Sequence, residues 1–151
     1  MSARPSPKKR REFIHFSRIT TRWKDNDAYR HINNVTYYSF FDTALNEFLI
    51  RGGLNIEHSP VIGLIAHSQC NYFSSLAFPD SIDVGLKANR LGNSSVTYAL
   101  GIFREGDDRA AAQGEMVHVY VDRKTGQPVS IPQEMRMHLA KVKSEPRDDD
   151  V

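Results

Sequence analysis

The chain has 151 residues, with 20 Lys and Arg against 18 Asp and Glu for a formal charge of +2, 40% hydrophobic and 25% charged residues. That length and balance fit one soluble domain with a single core, and so small a net charge does not imply nucleic acid as the main partner. A lone Cys70 excludes an intramolecular disulfide, no Cys/His spacing reads as a zinc site, and no apolar run suits a membrane span or a signal peptide, which points to a reducing, cytoplasmic home.

In chain order, residues 1 to 12 hold the basic run Pro7-Lys8-Lys9-Arg10-Arg11 and read as a solvated, flexible tail. β-Branched and aromatic residues over 13 to 23 predict a strand. A polar stretch from Trp23 to Asn34 follows. The pattern from Val35 to Arg51 then predicts a helix closed by Gly52-Gly53. At about 100° per residue, Tyr37, Tyr38, Phe40, Phe41, Ala44, Leu45, Phe48 and Leu49 cover about half its circumference, a face wide enough to need a concave partner.

Residues 61 to 73 read as extended, with Cys70 a buried, inert thiol. Ile82, Val84, Leu86 and Ala88 alternate with Asp83, Gly85, Lys87 and Asn89. Val96, Tyr98, Leu100 and Ile102 repeat the pattern, and Val117, Val119 and Val121 give it a third time. Turns at Pro79-Asp80, Gly92-Asn93, residues 105 to 108 and Thr125-Gly126 separate these runs. Pro132 to Val142 predicts a short closing helix, and 143 to 151, with three consecutive aspartates, an acidic flexible tail. The economical architecture is α+β, with an antiparallel sheet wrapped around one long helix in a single domain over 13 to 142.

The Trp23 to Asn34 stretch gathers carboxylates, an imidazole and carboxamides at a helix start. The first turn of a helix leaves N–H groups unpaired, so a carbonyl oxygen that turns negative during reaction would find donors there. Asp27, just upstream, has the chemistry of a nucleophile or general base. Judged by residue type alone, the same string also serves as capping and Asx-turn chemistry, and Asp25 is read that way. No serine-hydrolase elbow, dinucleotide turn or zincin helix is present.

Trp23, Asp25, Asp27, Ala28, Tyr29, His31, Asn33, Asn34 and Tyr37 follow the pattern W-x-D-x-D-A-Y-G-H-x-N-N-x-x-Y. Asn71-Tyr72 with Pro79-Asp80, Gly92 to Val96, Ala112-Gln113-Gly114 and Ile131-Pro132 then fall in the same family's order. The chain thereby resembles the 4-hydroxybenzoyl-CoA thioesterase-like family of hot dog fold acyl-CoA thioesterases, over about residues 13 to 141. The resemblance implies hydrolysis of an acyl-CoA to free acid and CoA, with no metal and no cofactor beyond the substrate's own CoA. It implies that Asp27 is the catalytic carboxylate, that the Asn34 N–H holds the oxyanion, and that His31 orients a partner or contacts substrate. Tyr29, Arg30, Asn33, Tyr37 and Asp42 are the implied substrate-binding positions, with Asn71 and Ser74 nearby. A homodimer or dimer of dimers, joined edge to edge with sites between subunits, is implied as well.

Arg30 departs from the pattern, which has glycine there. Either the backbone is in an ordinary region at this point, or the bulky side chain narrows or recharges the pocket mouth, where a guanidinium suits a CoA phosphate. A noncatalytic acyl-CoA sensor or scaffold is the alternative function, and Arg30 is its support.

Overall fold

The computed structural model describes residues 5–145. Asn33 opens the long helix: its backbone is extended and its side-chain oxygen accepts the Val35 N–H at 3.0 Å. From there α1 (Asn34–Arg51) runs for 18 residues and stops where the Gly52 N–H bonds back to the Phe48 and Leu49 carbonyls. Its buried residues are Tyr37, Phe40, Phe41, Ala44, Leu45, Phe48 and Leu49, the expected stripe, with Tyr38 half-buried at the border.

Five strands form one antiparallel sheet against this helix: β1 (His15–Thr20), β2 (Val61–Tyr72), β3 (Ser81–Leu91), β4 (Ser95–Arg104) and β5 (Ala112–Asp122). Their order is β1-β3-β4-β5-β2, and α2 (Gln133–Ala140) follows the last strand in sequence. This is the hot dog arrangement. The main core lies between α1 and the sheet, where Phe41, Leu45, Val84, Leu86, Tyr98 and Leu100 are wholly buried. Strand β1 is shorter than the 13 to 23 expected, because the chain turns through a single 3-10 turn, Trp23–Asp25, before the polar loop.

Strand β5 takes the phase opposite to an apolar-in reading. Met116, His118 and Tyr120 are buried toward the helix, while Val117 and Val119 lie half-exposed on the other face. Register fixes this, since Met116 stands opposite Tyr98 and His118 opposite Val96, both core positions of β4.

Part of the face of the sheet away from α1 is covered too, which corrects the expectation of a free basic tail. Within residues 5 to 12, the Lys8 N–H donates to Gln113 Oε1 at 2.7 Å and the Lys8 carbonyl accepts from the Ala110 N–H. Arg10 pairs with the nearly buried Asp83 at 2.8 Å and donates to the Arg104 and Asp107 carbonyls. Arg18 holds the same carboxylate at 2.9 Å, and its hydrogen bond, with Arg10 helping, keeps Asp83 below the usual carboxylate range. Phe13 then packs with Ala99, Phe103 and Ala110 in a second small core. Charge neutralisation and aromatic burial together dock an arm whose composition suggests solvent.

At the other end, the Ser144 N–H donates to the Ala88 carbonyl, so the domain is anchored slightly beyond 142. The three aspartates at 148 to 150 lie outside the described residues.

Candidate active site

The polar loop is built on its own carboxylates. Asp25 is only 3% exposed; it accepts the Arg22 N–H at 2.7 Å, pairs with the Arg22 guanidinium at 3.0 Å, and lends its carbonyl to the Asn33 N–H. It is a structural residue. Asn26 and Ile32 form an antiparallel bridge, and between them the Asp27 N–H donates to the His31 carbonyl at 2.8 Å. Asp27 Oδ1 accepts the Tyr29 N–H at 2.8 Å and the His31 N–H at 3.5 Å. Its Oδ2 takes no hydrogen bond among the described residues. The loop therefore fixes one carboxylate oxygen and leaves the other available.

Arg30 has φ 66°, the one non-glycine with positive φ among the described residues. Of the two expectations for this position, an ordinary backbone is ruled out: arginine occupies a left-handed site that glycine fills without strain, at a cost of roughly 1–2 kcal/mol. The Arg30 N–H bond to the Asp27 carbonyl at 3.0 Å holds the turn.

At the helix start the Val35 and Thr36 N–H groups are taken by Asn33, through its side chain and its carbonyl. The Asn34 N–H has no acceptor among the described residues. Beside it opens a cavity of about 290 Å³ whose walls include His31, Ile32, Asn34, Tyr37, Tyr72 and Ser74. The Tyr72 hydroxyl donates to the Asn34 carbonyl at 3.1 Å, and its ring meets Tyr37 edge-on at 5.1 Å. Burial pushes both phenols above their ordinary value, so both remain O–H donors at neutral pH. Cys70, half-buried nearby, is likewise pushed up by burial and stays a thiol.

The structure thus brings His31, Asn34, Tyr37 and Ser74 to one cavity, with Asn33 capping the helix beside it. Asp27 is bonded to His31 of that wall without itself lining the cavity, and Tyr29 and Arg30 are exposed at the loop tip. Two expected positions fall elsewhere. Asp42 lies about two helical turns below Asn34, exposed and holding the Asn46 amide at 3.1 Å, so it does not reach this cavity. Asn71 points to the opposite face of the sheet, into a trough shared with Gln69 and Gln113. Tyr72 is the residue not singled out from sequence. The signal was strand parity, since Tyr72 shares the helix-facing side of β2 with Cys70.

A model of the thioesterase-like superfamily matches residues 21–139. The chain belongs to that superfamily. This thioesterase-like chain is 53% identical to the PA5185 protein of Pseudomonas aeruginosa, whose structure superposes with a TM-score of 0.91 over 95% of this chain and 100% of that one. A predicted thioesterase of Bacillus stearothermophilus is 26% identical, with a TM-score of 0.76 over 87% of this chain and 98% of its own. A Thermus thermophilus thioesterase, solved with coenzyme A and zinc, shares the fold at 24% identity and a TM-score of 0.75, covering 89% and 98% of the two chains. Among the described residues of the thioesterase-like chain, no helix is long and apolar enough to cross a membrane.

Proposed function

We propose that this protein hydrolyses an acyl-CoA thioester to the free carboxylic acid and CoA, in the cytoplasm, as a homodimer or dimer of dimers. The observation that carries the reading is an unpaired Asn34 N–H at the edge of a cavity, with an anchored carboxylate, Asp27, a few residues away. The coenzyme A bound by the Thermus relative supports the choice of thioester.

In the general-base route, Asp27 Oδ2 takes a proton from a water as the water oxygen bonds to the thioester carbon. The negative carbonyl oxygen is met by the Asn34 N–H, and collapse expels CoA thiolate, which recovers the proton. In the nucleophilic route the carboxylate attacks first, CoA leaves, and water cleaves the resulting anhydride. His31 and Tyr37 line the acyl-bearing cavity, and the exposed Arg30 offers a guanidinium to a CoA phosphate. The long edge strand β2, with Leu64 and Ile65 about half exposed, supplies the surface through which a second copy would complete the site.

Asp27→Asn tests the chemistry in a thiol-release assay over short, long and aromatic acyl-CoAs. Turnover should fall by a hundredfold or more, with about the loss expected for a missing general base and with thermal stability little changed. Full activity in that variant rejects the mechanism. Tight CoA binding by the unaltered protein with no thiol release across the panel selects the sensor reading instead.

A further inference from the structure

The polar loop rests on the segment that joins β2 to β3. That segment contributes Phe73, Ser74 and Ser75 to the same cavity as His31, Ile32 and Asn34, and it is firmly held. The Phe73 and Ser74 N–H groups both donate to the Ala111 carbonyl, at 2.8 and 3.1 Å. Arg104 donates to the Ser75 carbonyl at 2.9 Å and pairs with Asp80 at 3.3 Å, while Asp80 accepts the Ala77 N–H at 3.1 Å. Leu76 between them is 1% exposed. One part of the cavity wall is therefore a fixed reference.

The loop is bonded to this reference through both members of one pair. Asn26 and Ile32 form the bridge at the base of the turn that carries Asp27. The Ile32 N–H donates to the Leu76 carbonyl at 2.8 Å, and Asn26 Oδ1 accepts the Phe78 N–H at 3.0 Å. The first contact is main chain to main chain. The second depends on a single side-chain oxygen, at a position that the W-x-D-x-D pattern leaves open. Trp23 supports it with an edge-on ring contact to Phe78 at 6.0 Å, from an indole that is 76% exposed.

Two contacts fix an angle where one leaves a pivot. Without Asn26 Oδ1 the bridge pair can turn about the Ile32 to Leu76 bond. The loop would move as a unit, because the Asp27 N–H is bonded to His31, the Asp27 carboxylate to Tyr29, and the Asn33 N–H to the Asp25 carbonyl. Asp27 directly follows Asn26 and takes up that rotation, whereas the first turn of α1 is set by the Asn33 cap. A displacement of about 1 Å at a reacting group can cost roughly a hundredfold in rate.

We propose that Asn26 is a positioning residue, whose side-chain oxygen sets the orientation of the Asp27 carboxylate against the wall built by residues 73 to 75. The inference rests on the thioesterase reading above, and its test has one arm that does not. Asn26→Leu keeps the size and removes the acceptor; Asn26→Asp keeps an acceptor oxygen at the same reach. In the thiol-release assay Asn26→Leu should lower kcat about tenfold and leave KM nearly unchanged, and Asn26→Asp should recover most of the loss. Amide hydrogen exchange reads the geometry without activity. In Asn26→Leu the Phe78 amide should lose protection, the Tyr29 and His31 amides held by Asp27 should change with it, and the Val35 amide should not. Asn26→Ser, too short to reach the Phe78 N–H, repeats both arms should leucine prevent folding. Unchanged kcat in a folded Asn26→Leu protein, an equal loss in Asn26→Asp, or a change confined to the Phe78 amide overturns the inference. If the unaltered protein releases no thiol, the thioesterase reading fails, and the joint response of Phe78, Tyr29 and His31 still decides whether Asn26 sets the loop.

Discussion

Arg30 sits at the tip of the polar loop in a conformation that arginine pays for and glycine does not. Arg30→Gly should therefore raise unfolding free energy, by about 0.5–1 kcal/mol once the extra freedom of glycine in the unfolded chain is offset. Urea melts measure this directly. The same variant should raise KM for acyl-CoA while leaving kcat nearly unchanged, since the turn is kept and only the proposed phosphate contact is lost. A stability loss would mean the side chain holds the loop by contacts of its own. The neighbouring Tyr72 predicts a different split. Tyr72→Phe removes the hydrogen bond to the Asn34 carbonyl, so kcat should fall several-fold and KM should hardly move, because the oxyanion donor loses its alignment rather than the substrate its grip.

A buried and a half-buried histidine give the molecule an acid limb. Burial lowers both His118 and His15 below their ordinary 6.5, with Asp42 partly opposing the shift at His118 and Glu47 at His15. The unfolded chain then binds more protons than the folded one, so their contribution is complete above about 6.5 and declines as pH falls below it. Asp83, also lowered, adds a second loss only below the ordinary carboxylate value of 3.8. Urea melts between pH 7.5 and 5 should show falling stability, and His118→Gln should flatten the slope.

Among the elements, the docked arm was the least legible. A run such as Lys8-Lys9-Arg10-Arg11 carries no local sign of its partners, because Asp83 and Gln113 lie far along the chain. Arg10→Ala should destabilise by about 1–2 kcal/mol, a half-buried charged hydrogen bond lost while Arg18 still neutralises Asp83. Thermal melts against Arg11→Ala, whose side chain is exposed, provide the control. The helix and four later strands could be read because periodicity is a local property, and α1 differs from its expected start by one residue. Phase in β5 could not, since the helix-facing side is chosen by registry with β4 rather than by the valines themselves. In the loop, the motif located the helix start, but the left-handed Arg30 follows from a three-dimensional turn.

At the scale of the whole molecule, the sheet ends on one side in β2, a twelve-residue edge whose outer hydrogen-bonding groups face away from β5. Light scattering should find two or four copies in solution, and Leu64→Lys with Ile65→Lys should give a monomer that has lost most thiol release. A double variant that stays oligomeric places the interface elsewhere. Cavity placement is the part of the site that no sequence period could supply: Asp42 has the residue type of a ligand-binding acid yet lies two turns away.

The arm has a further consequence for how the chain can change. A Cβ added at Gly85 would come within 2.8 Å of the Phe13 ring, and one at Gly101 within 2.7 Å. Three positions scattered across the sequence are therefore one unit of inheritance. A descendant that acquires a side chain at either glycine must also move or surrender the phenyl ring, and with it the aromatic part of the arm's anchorage, so these three positions on the outer face of the sheet change together.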